Sequence, residues 1–175
     1  SGLPLRIGAD SSGRNAFKGY MMDIGVYDRP LSPTEINQLA QKKIRPVDLP
    51  KGLVIPGPKK TTDTTLANLA DPKRPVVLKG NMKIQLPDDQ KPAAVFEFDG
   101  KSWLEIPDHR SLRGANGLTL TAWINPTGPI PTNGMRLLDK SPVGVGTGYL
   151  LDTYPNGKSL RLLAGEPALS VKASI

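Results

Sequence analysis

Short segments of alternating apolar and polar residues, separated by glycine and proline, constrain this chain most strongly. In residues 20–27, Tyr20, Met22, Ile24 and Val26 alternate with Met21, Asp23, Gly25 and Tyr27, which predicts a strand with one buried face. Glycine and proline number 18 each among 175 residues, which favours many turns and short strands over long helices. The predicted fold class is therefore all-β.

The second half of the chain continues this pattern. Ala94, Phe96 and Phe98 face one way, and Leu104 and Ile106 continue the apolar face beyond the turn at residues 99–100. Asn156-Gly157 is a preferred pair for a type I′ turn, which predicts an antiparallel hairpin between the flanking strands. Further strands are predicted at residues 118–124, where Trp123 alternates with the leucines, and at 136–139, 149–152, 160–163 and 169–175.

One short helix is predicted after the first long strand. Ser32 can cap it, Pro33 suits its first position, and Glu35 can complete a capping box. Ile36 and Leu39 give the helix an apolar side, which we expect to cover an end or edge of the sandwich. The proline-rich residues 41–92 then form a connector, with short strands predicted at residues 52–55, 76–78 and 82–86.

Two separate parts of the chain resemble one known family. Residues 5–8 and 17–36 resemble the closing strands and terminal helical turn of LamG-like jelly-roll domains of the concanavalin A-like lectin/glucanase fold. Residues 96–107 and 118–124 are similar to that family's opening strands. The resemblance implies an antiparallel two-sheet jelly-roll sandwich, complete, permuted or partial. It divides the chain into a C-terminal module segment at 1–40, the connector at 41–92 and an N-terminal module segment at 93–175.

The C-terminal module segment at 1–40, the tail, precedes the N-terminal module segment at 93–175, the head. This order leaves three interpretations open. The chain is a fragment of a tandem array, a half-module completed by another chain, or a permuted sandwich in which tail and head pair with each other. No segment matches the family's middle strands. In the family the first and last strands pair, so we expect residues 20–27 to lie beside residues 94–99 in one sheet.

The resemblance implies non-catalytic recognition or adhesion by a module of a larger protein that is secreted, at the cell surface or periplasmic. Carbohydrate is the leading ligand, since sandwiches bind sugars on exposed aromatic rings, and the candidate ligand-binding residues are Tyr154, Trp103 and Tyr149. The alternative is a structural or assembly element whose partial sandwich is completed by strands of a partner chain or a second copy.

Carboxylates offer two further roles. Glu97 and Asp99 resemble the paired acids of glycosidases on this superfold, but Lys101 and Ser102 stand where the third acid belongs, so no enzyme activity is expected. The resemblance also implies a structural Ca²⁺, for which Asp23 and Asp99 are the candidate ligands.

Other functional classes lack their signatures. The net charge of +7 comes from scattered basic residues without a nucleic-acid-binding motif, so no specific nucleic-acid partner is expected. No apolar stretch is long enough to span a membrane. The chain has no cysteine and one histidine, His109, which excludes a thiolate metal site and a multi-histidine zinc site.

Overall fold

The computed structural model describes residues 2–54, 56–62, 64–85, 94–115, 117–142, 147–165 and 169–174. Within them lie two antiparallel sheets and one α-helix, which confirms the predicted all-β, two-sheet class. Residues 55, 86 and 175 of the predicted strands lie outside this set, as do residues 144–146. The elements in chain order are β1 (Leu5–Ile7), β2 (Lys18–Tyr27), α1 (Pro33–Ala40), β3 (Gly52–Val54), β4 (Pro56–Thr62), β5 (Thr65–Asn68), β6 (Val76–Lys79), β7 (Lys83–Gln85), β8 (Val95–Asp99), β9 (Trp103–Ile106), β10 (Thr119–Pro126), β11 (Arg136–Asp139), β12 (Tyr149–Asp152), β13 (Ser159–Ala164) and β14 (Leu169–Ser174).

The two sheets differ in size. The larger sheet has nine strands in the order β14-β13-β12-β11-β1-β9-β6-β5-β4. The smaller sheet has the order β10-β2-β8-β7, and β3 also pairs with β2. Short 3-10 turns at Pro46–Asp48 and Arg110–Arg113 complete the regular elements. Both sheets therefore contain strands from the predicted tail, connector and head.

The expected pairing of tail and head is confirmed. Strand β2 runs antiparallel to β8, with Tyr20 opposite Glu97 and Met21 opposite Phe96. The connector strands predicted at residues 52–55, 76–78 and 82–86 correspond to β3, β6 and β7. The turn at Asn156 and Gly157, with φ of 57° and 69°, joins antiparallel β12 and β13 as predicted.

The strict alternation predicted for β2 is interrupted, because the strand contains a bulge. Asp23 has a φ of 49°, and the register with β10 shifts beside it. An extra residue in one strand reverses the facing of the side chains on either side of it. Met21 is therefore buried together with Ile24, whereas Tyr20 and Met22 lie on the outer face.

The core fills the space between the sheets. The larger sheet contributes Leu5 and Leu104, and the smaller sheet contributes Phe96 and Phe98, all of them fully buried or nearly so. The rings of Phe17 and Phe98 meet edge to face with their centres 5.8 Å apart. This geometry is favourable for aromatic pairs, and it anchors the loop after β1 against β8.

The helix α1 forms as predicted and lies at the surface. Ser32 accepts a hydrogen bond from the Glu35 backbone N–H, and the Glu35 carboxylate accepts one from the Ser32 backbone N–H. Arg29 also holds Glu35 with a 2.7 Å ion pair. No residue of α1 is buried, and Ile36 is 50% exposed. The apolar side of the helix is thus not packed into the core.

Candidate binding site

Trp103 is built into a polar network on the outer face of the larger sheet. The Arg6 guanidinium lies 5.6 Å from the centre of its ring, and its Nε1 lies 3.5 Å from Oε2 of Glu105. The backbone of Gly13 also lies against the ring, since a Cβ atom added there would be 3.2 Å from it. Trp103 therefore offers less open ring surface than a binding platform requires.

The two candidate tyrosines are not free platforms either. Tyr149 is only 3% exposed and belongs to the core, so its ring has no face for a ligand, which corrects the predicted binding role. Burial raises the pKa of its hydroxyl above the usual range. Tyr154 is partly buried, and the Arg161 guanidinium lies 4.0 Å from its ring centre. Trp103 and Tyr149 stand three strands apart, about 14 Å, so the structure does not bring them together.

The two candidate Ca²⁺ ligands are also separated. Asp23 lies 3.7 Å from Nε of Arg45, whereas Asp99 accepts hydrogen bonds from the Lys101 backbone N–H and the Ser102 hydroxyl. Asp99 is opposite Lys18, five residues before Asp23 on β2, which places the two carboxylates about 16 Å apart along the strand. They do not fit one Ca²⁺ site, and the described residues contain no cluster of three metal-ligating side chains.

Buried ion pairs cross the outer face of the larger sheet. Asp152 is fully buried and receives Arg161 at 2.6 Å and also Arg136. Arg136 in turn lies 2.9 Å from Asp139, and Arg6 lies 2.9 Å from Glu105. Each charge in this row has an opposite charge beside it, so the row is a structural network.

A large cleft lies along β10 of the smaller sheet. This cleft has a volume of about 790 Å³, within the range of ligand pockets in proteins. On the outer face of the sheet its lining includes Met22, Val95 and Trp123. Leu39 at the end of α1 and Ile44 in the segment that follows close one side.

Trp123 is the most exposed aromatic side chain of this cleft. It is 40% exposed and also borders a second hollow of about 400 Å³, which Tyr20 and Asn125 help to line. The two hollows share Gln85 as well as Trp123. The indole thus borders both hollows, and the side-chain amides of Gln85 and Asn125 are exposed nearby.

The side chain of Trp123 lies on the outer face of β10, although its position within a sandwich strand favours a core or partly buried residue. Leu120 and Ile124 face the core, and Trp123 faces the opposite way beside Met22. The alternation of β10 contained this signal, because Trp123 stands out of phase with the leucines. A tryptophan on the polar side of an amphipathic strand indicates an aromatic ring on the outer face of the sheet.

The segment that borders the cleft is anchored to the smaller sheet. The buried Tyr27 hydroxyl donates a 2.8 Å hydrogen bond to the Pro46 carbonyl, and Arg45 reaches Asp23. Nζ of Lys42 lies 5.0 Å from the centre of the Trp123 ring. Burial also raises the pKa of the Tyr27 hydroxyl, which keeps it a hydrogen-bond donor.

The cleft continues over the edge of β10 towards the core. Leu120, Leu151 and Leu160 line this inner part, where the two sheets face each other. Among the described strands, β10 pairs with β2 alone, so its other edge is unpaired. The cleft therefore has an aromatic part on the sheet surface and an apolar part at an open strand edge.

Glu97 and Asp99 occupy the outer side of β8. Glu97 lies 3.8 Å from Nζ of Lys83, and the hydrogen bonds to Asp99 hold the tight turn that follows β8.

No helix within the described residues is long and apolar enough to cross a membrane. In comparisons with models of protein families, with characterised proteins and with solved structures, this chain matches none.

Proposed function

We propose that this protein is a non-catalytic recognition module that binds carbohydrate on the outer face of its smaller sheet, at Trp123. The exposure of Trp123 between two adjoining hollows carries the proposal. An indole face packs against the apolar C–H face of a sugar ring, and two hollows accommodate successive sugar units on either side of it.

Polar side chains around Trp123 suit the hydroxyl groups of a sugar. Gln85 and Asn125 are exposed beside the hollows, and each side-chain amide can both donate and accept hydrogen bonds. Tyr20 adds a phenolic hydroxyl in the same hollow. This combination of one aromatic ring with a few polar groups is typical of small-molecule sites.

Binding without turnover is the proposed mode. Glu97 lies beside Lys83. Asp99 accepts hydrogen bonds from the Lys101 backbone N–H and the Ser102 hydroxyl, and these bonds stabilise the turn after β8. A glycosidase needs a nucleophile and a separate acid at a defined distance. The resemblance of residues 5–8, 17–36, 96–107 and 118–124 to LamG-like modules supports the same role and an extracellular setting.

A glycan array probed with the whole chain tests this proposal, followed by calorimetry on the glycans that bind. Trp123→Ala should weaken binding at least tenfold, because it removes the stacking surface. Trp103→Phe is the matched control and should bind like the parent protein, since Trp103 lies on the other sheet. Glycan binding that survives Trp123→Ala, or an array without any bound glycan, would reject the proposal.

The second candidate function, an assembly element that accepts a strand from a partner, is favoured by a different observation. The open edge of β10 is bordered by apolar side chains of both sheets. A strand edge of this kind is a template for pairing with another chain.

A further inference from the structure

The free edge of β10 lies where the larger sheet extends beyond the smaller one. Three of the four residues in β11 are buried, and three of four in β12. In β13, none of the six residues is buried. Burial therefore decreases from β11 and β12 to β13, towards the side on which the smaller sheet ends at β10.

The part of the larger sheet beyond β10 is half-buried and apolar on its inner side. Leu162 is opposite Leu151 in the neighbouring strand, and Leu151 is opposite Leu138 of the core. Leu160 and Leu162 are two residues apart on β13, so both point towards the space between the sheets. A strand added beside β10 would cover these leucines and pair with the free backbone edge.

The opposite wall of the cleft also suits an inserted strand. Leu39 at the end of α1 lines the cleft, and Ile36 on the same helix is half exposed. Lys42 is exposed and holds its ammonium group over Trp123 on the outer face of β10. An added strand would thus meet leucines on its inner side and a cation on its outer side.

We propose that the edge of β10 binds an extended acidic segment of another polypeptide, with apolar residues at alternate positions and carboxylates between them. The apolar residues cover Leu160 and Leu162, the carboxylates face Lys42, and the backbone extends the smaller sheet by one strand. The proposal rests on the second candidate function above. Strand β10 is eight residues long, about 26 Å, which sets the length of the segment.

A second copy of this chain is a poorer occupant than a single strand. Two copies paired through β10 would each carry β13 and β14 beyond their own β10. Both projecting edges would then occupy the same space beneath the joined sheets. A lone strand meets no such obstruction, and the net charge of +7 favours an acidic one.

Synthetic octapeptides provide the probe. One alternates valine and glutamate, the second alternates valine and lysine, and the third has the composition of the first with four valines followed by four glutamates. Fluorescence anisotropy of labelled peptides against the whole chain should show binding of the first peptide. The second and third should bind at least tenfold more weakly, because one has the wrong charge and the other has the wrong period.

Two variants on β13 locate the site. Leu160→Asp places a charge on the inner face and should weaken binding of the valine-glutamate peptide at least tenfold. Leu163→Asp makes the same change on the outer face, opposite Leu150, and should leave binding unchanged. Melting curves establish that both variants fold. Hydrogen exchange on the parent chain gives a second readout, since the peptide should protect amides within Thr119–Pro126.

Several results would overturn the proposal. These are equal binding of all three peptides, equal effects of the two variants, or unchanged exchange in β10. Self-association that protects β10 without peptide would assign the edge to a second copy instead. Glycan binding by Leu160→Asp separates this proposal from carbohydrate recognition, because Leu160 lies away from the exposed face of Trp123.

Discussion

The ammonium nitrogen of Lys42 lies 5.0 Å from the centre of the Trp123 ring, and this contact joins the segment after α1 to the outer face of the smaller sheet. A cation at this distance is attracted by the face of an indole. Lys42 therefore covers part of the ring that the proposed sugar would use. The exposure of Trp123 depends on this lysine as well as on the sheet.

Replacing Lys42 by alanine should make Trp123 more accessible. In a Trp103→Phe background, Trp123 is the only tryptophan, so its fluorescence can be measured alone. We expect acrylamide to quench it more strongly after Lys42→Ala, because the side chain over the ring is removed. Lys43→Ala is the matched control and should leave quenching unchanged. Equal quenching in all three proteins would show that Lys42 does not cover the ring in solution.

Local patterns in the sequence predicted most of the strands and their facing in the head of the chain. Phe96 and Phe98 alternate with polar residues, and both are buried. The turn at Asn156-Gly157 was also predictable, because few residue pairs adopt positive φ at two successive positions. These features depend on neighbours in sequence, which is why a sequence can specify them.

The bulge at Asp23 and the role of Trp123 were harder to predict. Both sides of the alternation in residues 20–27 contain a methionine, so the pattern allowed either Met21 or Met22 to face the core. The structure selects Met21 because β2 bulges at Asp23 to follow β10 on one edge and β8 on the other. The unequal width of the two sheets arises from pairing between distant strands and has no local signal.

The Asp152 carboxylate is expected to be the most sensitive charge in the network on the larger sheet. It is fully buried between Arg136 and Arg161. Asp152→Asn should lower the free energy of unfolding by about 3 kcal/mol, since it removes the charge that pairs with Arg161 and leaves Arg136 with Asp139 alone. Urea denaturation measures this change. Asp71→Asn, which removes a more exposed pair with Arg74, should cost less than about 1 kcal/mol. Equal losses in the two variants would mean that the buried ion pairs contribute no more to the free energy of unfolding than the exposed pair.

Two buried tyrosines should respond oppositely to loss of the hydroxyl group. The Tyr149 hydroxyl is buried and makes no hydrogen bond with any described residue, so Tyr149→Phe should leave stability unchanged or raise it. The Tyr27 hydroxyl donates to the Pro46 carbonyl, so Tyr27→Phe should cost about 1 kcal/mol. Thermal and urea unfolding of both variants provide the measurement. A larger loss for Tyr149→Phe would indicate an unseen partner for its hydroxyl.

Acid should weaken the fold partly through Asp108. Hydrogen bonds from Arg113 and Lys140 lower the pKa of this carboxyl group to about 2, below its value of about 4 in an unfolded chain. A depressed pKa in the folded state contributes stability above pH 4, and this contribution is lost as the pH falls through about 2. Asp108→Asn should therefore be less stable than the parent at pH 6, and the difference should shrink between pH 4 and pH 2. Burial raises the pKa of Asp139, which has the opposite dependence, but that group is present in both proteins and cancels from the difference. Urea unfolding at a series of pH values gives the comparison, and a difference that stays constant from pH 6 to pH 2 would show that Asp108 does not titrate in this way.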